Sequence, residues 1–259
     1  VINIGKAKNI KFIMNVFTKP KVIFFDLGDT LIYFNGNWAE VLQNSTKKLM
    51  NFLIKGGYSL NPEEFPQEFS KRMREYYLER NKTFIEYSSA RVLSDYLMDL
   101  GFSIPQESLI KNAMQEMYSV SQKDWHLEED AENILDWLQE NDYRIGLISN
   151  ASDTDDVYSL LEKFSLTNYF EKIVISAEFG WRKPHKKIFN HAMELFNCDP
   201  ENCVMVGDRL DMDIQGAKMM GIRSVWITRR SIHKDKLHQF DHKPDHQISN
   251  FGELIQLLS

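Results

Sequence analysis

The sequence predicts an α/β protein: a doubly wound parallel sheet, interrupted near its start by a helical insert. Three observations carry that expectation. After Trp125, apolar runs rich in β-branched residues (RIGLIS, KIVIS, CVMVG, RSVWIT) alternate with stretches of helical period, as βαβ units do. Between Trp38 and Trp125 no such run occurs, and apolar residues recur at the 3.6 period instead. Finally, polar clusters directly follow three of the apolar runs: Asp26 after VIFF, Ser149 and Asn150 after IGLI, and Gly207-Asp208 after CVMV. Ligands of parallel sheets bind just outside the carboxyl ends of the strands, so these distant clusters are expected to converge on one crevice.

Taken in order, Lys21 to Phe25 is the first strand and Leu31 to Phe34 a hydrophobic turn. VLQNSTKKLMNFLI follows as a helix with Leu42, Leu49, Met50 and Leu53 on one side. ARVLSDYLMDLGF places Val92, Leu93, Tyr96, Leu97 and Leu100 together and stops at Gly101, and SLIKNAMQEMYSV is a further helix. AENILDWLQEND turns Ile134, Leu135 and Leu138 inward before the strand RIGLIS. TDDVYSLLEKF, HKKIFNHAMELF and MDIQGAKMMG are helices between the remaining strands, and a short strand near Gln247-Ile248 with the helix GELIQLLS closes the chain. The polar segment Arg229 to His246 is read as a solvated loop, because its histidines lack metal-ligand spacing.

Composition narrows the function. The 259 residues suffice for a core and an insert, and 43% hydrophobic content is ordinary for a globular protein. A net charge of −6 argues against a general nucleic-acid binder. Cys198 and Cys203 offer neither a disulfide framework nor a metal pattern, which fits a reduced, cytoplasmic setting. No apolar run is long enough to span a bilayer. Residues 1–19 carry four lysines and no acid. They are read as a disordered extension, with Met14 a plausible natural start and a targeting peptide the alternative.

Asp26 ends an apolar strand, where a carboxylate is either a nucleophile or the cap of the next turn. Asp208 also follows a strand directly, and two such carboxylates repel unless a cation lies between them. Magnesium suits the purpose, since it takes one or two carboxylates plus water and phosphate oxygens. Asp213 is either a plain helix-start acid or part of the metal shell, and Asp211 is read as solvated. Ser149 and Asn150 offer a hydroxyl and nearby N–H groups for a phosphoryl oxygen, or form an ordinary turn. Lys183, before Pro184, reads alone as a surface lysine; beside the carboxylates it can neutralise a transferring group.

The order FFDLGDTL, LISN, GWRKPHKKIF, VMVGDRLDMDIQGA resembles the haloacid dehalogenase superfamily of hydrolases, over roughly Lys21 to Thr228 and into the C-terminal PDHQISNFGELIQLL. The resemblance implies a Rossmann-like core (residues 20–36 and 127–259) and a small helical cap of the C1 type (37–126). It implies Asp26 as nucleophile, Ser149 as phosphate ligand, Lys183 as charge clamp, and Asp208 together with the Gly28 carbonyl as magnesium ligands. The expected reaction is hydrolysis of a small phosphomonoester through an aspartyl-phosphate, by a monomer or homodimer with no nucleic-acid or membrane partner.

One departure from the family matters. Its phosphatases carry a second aspartate two residues after the nucleophile, where this chain has Gly28, with Asp29 one residue late. Asp29 or water then replaces the general acid, whose help is typically worth about 10²–10⁴-fold. The alternatives are a 2-haloacid dehalogenase or phosphonatase-like hydrolase using the same nucleophile (Lys82 being a guess for a Schiff base), and a fold that kept only binding or regulation. Trp38, Arg72, Arg74, Tyr76, Tyr77, Arg80, Lys82 and Arg91 are the insert residues that could face a substrate.

Overall fold

The computed structural model describes residues 20–259, so the expectation for residues 1–19 lies outside the described residues. The chain begins with β1 (Val22–Phe25) and β2 (Ile32–Phe34). Four helices follow, α1 (Trp38–Lys55), α2 (Glu64–Thr83), α3 (Ser89–Asp99) and α4 (Glu107–Ser121), and then β3 (Trp125–Leu127). Alternation begins there: α5 (Ala131–Glu140), β4 (Arg144–Ser149), α6 (Thr154–Lys163), β5 (Lys172–Ile175), α7 (Ser176–Phe179) and α8 (Lys186–Phe196). It continues through β6 (Cys203–Gly207), α9 (Gln215–Met220), β7 (Arg223–Ile227), β8 (His246–Ile248) and α10 (Phe251–Leu258).

Among the described residues the main sheet has six strands in the order β5-β4-β1-β6-β7-β8, all pairs parallel. Its central strands are buried on both faces, which explains their unbroken apolar sequence. Ile23, Phe25, Leu147, Val204 and Val206 pack with α5, α6 and α10 on one face. Val22, Phe24, Cys203 and Met205 pack with α8 and α9 on the other. The period-2 alternation of a strand thus divides each strand between two cores. This is the doubly wound α/β arrangement that the sequence predicts.

The helical segment has its own core, with Leu49, Leu53, Phe65, Phe69, Leu93, Leu97 and Ala113 at its centre. Asn37 starts α1 by accepting from the Ala39 and Glu40 N–H groups, and Ser88 starts α3 through Arg91 N. Gly101 takes φ +87° just past α3, a left-handed position that glycine adopts without steric cost.

Several expectations need correction. Leu42 does not join the buried face of α1; it is 57% exposed, and Val41, Ser45 and Thr46 turn inward in its place. Leu100 is also exposed. The hydrophobic turn after Leu31 is instead a strand, β2, paired antiparallel with β3 so that Phe34 faces Trp125. The segment after Thr228 is not simply solvated at its start. Arg229 pairs with Asp130, Arg230 with Glu128, and His233 is buried and accepts from Leu210 N.

Candidate active site

The strand order decides what meets what. β4, β1 and β6 are neighbours, so Ser149 at the end of β4, Asp26 after β1 and Asp208 after β6 stand side by side at the carboxyl edge. All eight predicted site residues (Asp26, Gly28, Asp29, Ser149, Asn150, Lys183, Asp208 and Asp213) line one cavity of about 180 Å³, together with Arg182, Arg209 and Met212. A larger hollow of about 320 Å³ lies between α2 and α3 and shares no residue with it.

Lys183 is no surface lysine: it is 1% exposed. Its Nζ lies 2.6 Å from Asp26 Oδ1, 2.7 Å from Asp213 Oδ1 and 2.6 Å from the Ile148 carbonyl. Burial alone would lower its pKa, but the charges of Asp213 and Asp26 outweigh burial and hold it above its ordinary value. Asn150 fixes the lysine's backbone, accepting from Lys183 N at 2.8 Å and donating to Lys183 O at 3.0 Å. The Asn150 side chain is therefore committed to positioning that peptide, while Ser149, 5% exposed, lines the cavity.

Asp213 is fully buried and sits on a π-helical turn, Leu210–Ile214, ahead of α9. Its Oδ2 accepts from Arg209 N at 3.0 Å. Gly207 makes room for it, since a Cβ there would stand 2.3 Å from Asp213 Oδ2. Asp211, expected in solvent, is partly exposed and accepts both Nε and Nη2 of Arg209, at 2.8 and 2.7 Å.

Ligand atoms of Asp26, Asp208 and Asp213 lie within 4.8 Å of one another. Burial first, and then the like charges of Asp26 and Asp213, push the Asp208 carboxyl well above the usual carboxylate range. Burial likewise raises Asp213, against the opposing pull of Lys183. Asp208 is held from behind, its carbonyl accepting from the Trp226 indole at 2.8 Å and from the Ser231 hydroxyl. An all-oxygen cluster of buried like charges fits a hard divalent cation, which would offset the repulsion that adds to burial in raising these pKa values.

Asp29 takes a left-handed φ of 57°, and its N–H donates to the Ile32 carbonyl at 2.6 Å. Burial, then the charge of Asp26, raises its pKa to about 6. A Cβ at Gly28 would meet the rim of the Trp125 ring at 3.4 Å, so the indole flanks the position where an acid would point. None of the eight insert side chains named as possible substrate contacts lines the cavity. Tyr76 and Arg80 are turned instead toward Glu86. Sequence reasoning missed Arg182 and Arg209, although each sits beside a motif residue in GWRKP and GDRLDMD.

The model of the family described as haloacid dehalogenase-like hydrolase matches residues 23–227. A glyceraldehyde 3-phosphate phosphatase of Pyrococcus abyssi (strain GE5 / Orsay) is 31% identical over 80% of this chain and 81% of its own length. That of Pyrococcus furiosus is 28% identical over 92% of both. Among solved structures, a 2-haloacid dehalogenase from Pseudomonas syringae pv. Tomato DC3000 superposes with a TM-score of 0.67 at 22% identity, covering 92% of this chain and 98% of that one. A HAD phosphatase from Thermococcus onnurineus gives a TM-score of 0.59 at 22% identity with the same coverage. At such identities the structural likeness speaks for the fold alone, but the family model spans the sheet from β1 to β7 and all four motifs: the chain belongs to the haloacid dehalogenase-like hydrolases.

Proposed function

We propose that this hydrolase is a magnesium-dependent phosphatase acting on a small phosphomonoester, with Asp26 as nucleophile. The observation that carries the reading is the buried trio Asp26, Asp208 and Asp213, within 4.8 Å of one another. A haloalkanoate attacked by one carboxylate has no need of a metal-binding acid cluster. A phosphate dianion attacked by a carboxylate needs strong cancellation of charge. The phosphatase names of relatives that this chain matches over most of their length favour the same choice.

In this reading Asp26 Oδ attacks phosphorus, the P–O bond to the leaving group breaks, and an aspartyl-phosphate forms; water then attacks phosphorus and returns the free carboxylate. Lys183 holds the attacking carboxylate in place and offsets its charge as the transferring group arrives. Ser149 donates to a phosphoryl oxygen, and Asn150 keeps Lys183 from drifting. Asp208 and Asp213, with Asp26 and the Gly28 carbonyl, would hold Mg²⁺, which when bound neutralises phosphoryl oxygens and their charge in the transition state. Asp29 stands where a proton can be held: it lines the cavity, and burial raises its pKa. We place α1–α4 as a cap over the carboxyl edge, within the boundaries 37–126, and residues 20–36 and 127–259 as the catalytic core.

The test is phosphate release from p-nitrophenyl phosphate and a panel of phosphorylated metabolites, with Mg²⁺ and with a chelator, for the wild type and for Asp26→Asn. Metal-dependent turnover that Asp26→Asn reduces by about 10⁴-fold or more, the scale of losing a covalent nucleophile, supports the reading. Equal rates with chelator, or an active Asp26→Asn, overturn it.

A further inference from the structure

Arg182 is a charged wall of the cavity that the phosphoryl chemistry does not use. It lies after α7, next to Lys183, and is 7% exposed. Its backbone N–H donates to the Phe84 carbonyl at 3.1 Å, part of a bridge between Ile85 and Trp181 that ties the helical segment to the loop carrying Lys183. Its Nη1 donates to Asn81 Oδ1 at 3.2 Å. Its Nε is 3.5 Å from Glu86 Oε2 yet makes no hydrogen bond.

The charge balance around it is incomplete. Glu86 is fully buried and already serves Arg80 Nη1 at 2.7 Å, the Tyr76 hydroxyl and Ser176 Oγ at 3.1 Å. Two guanidinium groups therefore share one carboxylate, and a buried charge without a full counter-charge is costly. Burial, then the positive charge of Arg80, holds Arg182 below its ordinary pKa. Arg209, the other arginine of the cavity, makes the contrast: its Nε and Nη2 are paired one to one with the Asp211 carboxylate. Arg182 is the cavity's arginine without a carboxylate of its own: its Nε is buried against Glu86, its Nη1 is taken by Asn81, and its Nη2 makes no hydrogen bond among the described residues. It is kept in place from the side by Asn81, and a planar guanidinium is suited to a second oxyanion.

We infer that Arg182 binds a second negatively charged oxygen group of the substrate, a carboxylate or a second phosphate, while Lys183 and the acids handle the group that is transferred. This rests on the phosphatase reading above and narrows it: preferred substrates are small phosphate monoesters with an additional anionic group. Arg182 and the residues that handle the transferred group line the same cavity of about 180 Å³, so the substrate is expected to be small.

The experiment compares kcat and KM for 3-phosphoglycerate, propane-1,3-diol bisphosphate, glycerol 3-phosphate and p-nitrophenyl phosphate, in the wild type, Arg182→Gln and Arg182→Lys, all with Mg²⁺. The wild type is expected to favour one of the two doubly anionic compounds over glycerol 3-phosphate by about 10–100-fold in kcat/KM, mainly through KM, the scale of a charge-assisted hydrogen bond. Which one it favours separates carboxylate from second phosphate. Arg182→Gln should erase that preference, and Arg182→Lys should keep only part of it. Turnover of p-nitrophenyl phosphate without any preference for an added anion overturns this inference and leaves the phosphatase reading standing. No phosphate release from any compound overturns both. An equal loss on all four compounds in Arg182→Gln also overturns it, since a purely structural tie to Glu86 would act that way. Should Arg182→Gln not fold, the wild-type comparison decides alone.

Discussion

Lys183 Nζ and Asp26 Oδ1 lie 2.6 Å apart although 157 residues separate them in sequence. The contact joins the end of β1 to the loop after α7, and the same ammonium reaches Asp213 at 2.7 Å. One lysine thus compensates two buried carboxylates. Lys183→Met should cost about 3–5 kcal/mol of stability, the scale of leaving buried charge uncompensated, and should lower turnover by at least about 10³-fold. Denaturant unfolding and steady-state rates check this; a variant as stable and active as the wild type would contradict it.

The carboxylate cluster sets a pH dependence. The pKa values of Asp208, Asp213 and Asp29 are raised above the reference of 3.8, so the folded state binds more protons than the unfolded one. Metal-free stability should therefore fall as pH rises from about 4. The Asp29 contribution ends above about 6, and that of Asp208 continues higher. Mg²⁺ at about 100 times its Kd should raise Tm by roughly 5–10 °C at pH 8 and by less at pH 5. Asp208→Asn should be more stable than the wild type at pH 8 without metal and should lose most of the Mg²⁺ response. An unchanged response in that variant would contradict the account.

Gly207→Ala would place a methyl group 2.3 Å from Asp213 Oδ2. The acid must then leave Lys183 and the Arg209 N–H. We expect a loss of about 1–3 kcal/mol, as in overpacked cores, and a fall in turnover of at least tenfold. Unfolding curves and kcat measure both, and wild-type kcat would sink the assignment of Asp213 to the site.

In the proposed reaction, Gly28 makes the leaving group matter. Good leaving groups such as p-nitrophenolate need no proton, whereas alkoxides do. A Cβ at Gly28 clears the Trp125 ring at 3.4 Å, so Gly28→Asp should be tolerated and raise rates on alkyl phosphates by part of about 10²–10⁴-fold. If Asp29 already moves the proton, Asp29→Asn removes most alkyl-phosphate activity and spares aryl phosphates. A Brønsted plot over leaving groups separates these outcomes; one slope shared by the wild type and both variants would exclude Asp29 from proton transfer.

The candidate site was legible where local pattern and strand position coincide. Asp26, Ser149 and Asp208 follow buried apolar runs, and strand ends in a parallel sheet converge whatever lies between them. Features that depend on remote partners were not legible. Leu42 fits the helical period, but tertiary packing of α1 buries Val41, Ser45 and Thr46 and leaves Leu42 exposed. β2 pairs with a strand on the far side of the four helices, so nothing local marks it as one. Arg182 gains meaning only beside Asn81 and Glu86, about a hundred residues earlier in the chain. Asn150, expected at the phosphate, proves to hold the Lys183 peptide, a contact no spacing announces.

The most direct test of the central claim sets phosphate release against halide release in one preparation. The account predicts phosphate from p-nitrophenyl phosphate with Mg²⁺, almost none with chelator, and no chloride from 2-chloropropionate. Metal-independent chloride release without any phosphate release would contradict it and assign the Asp26 carboxylate to carbon–halogen cleavage.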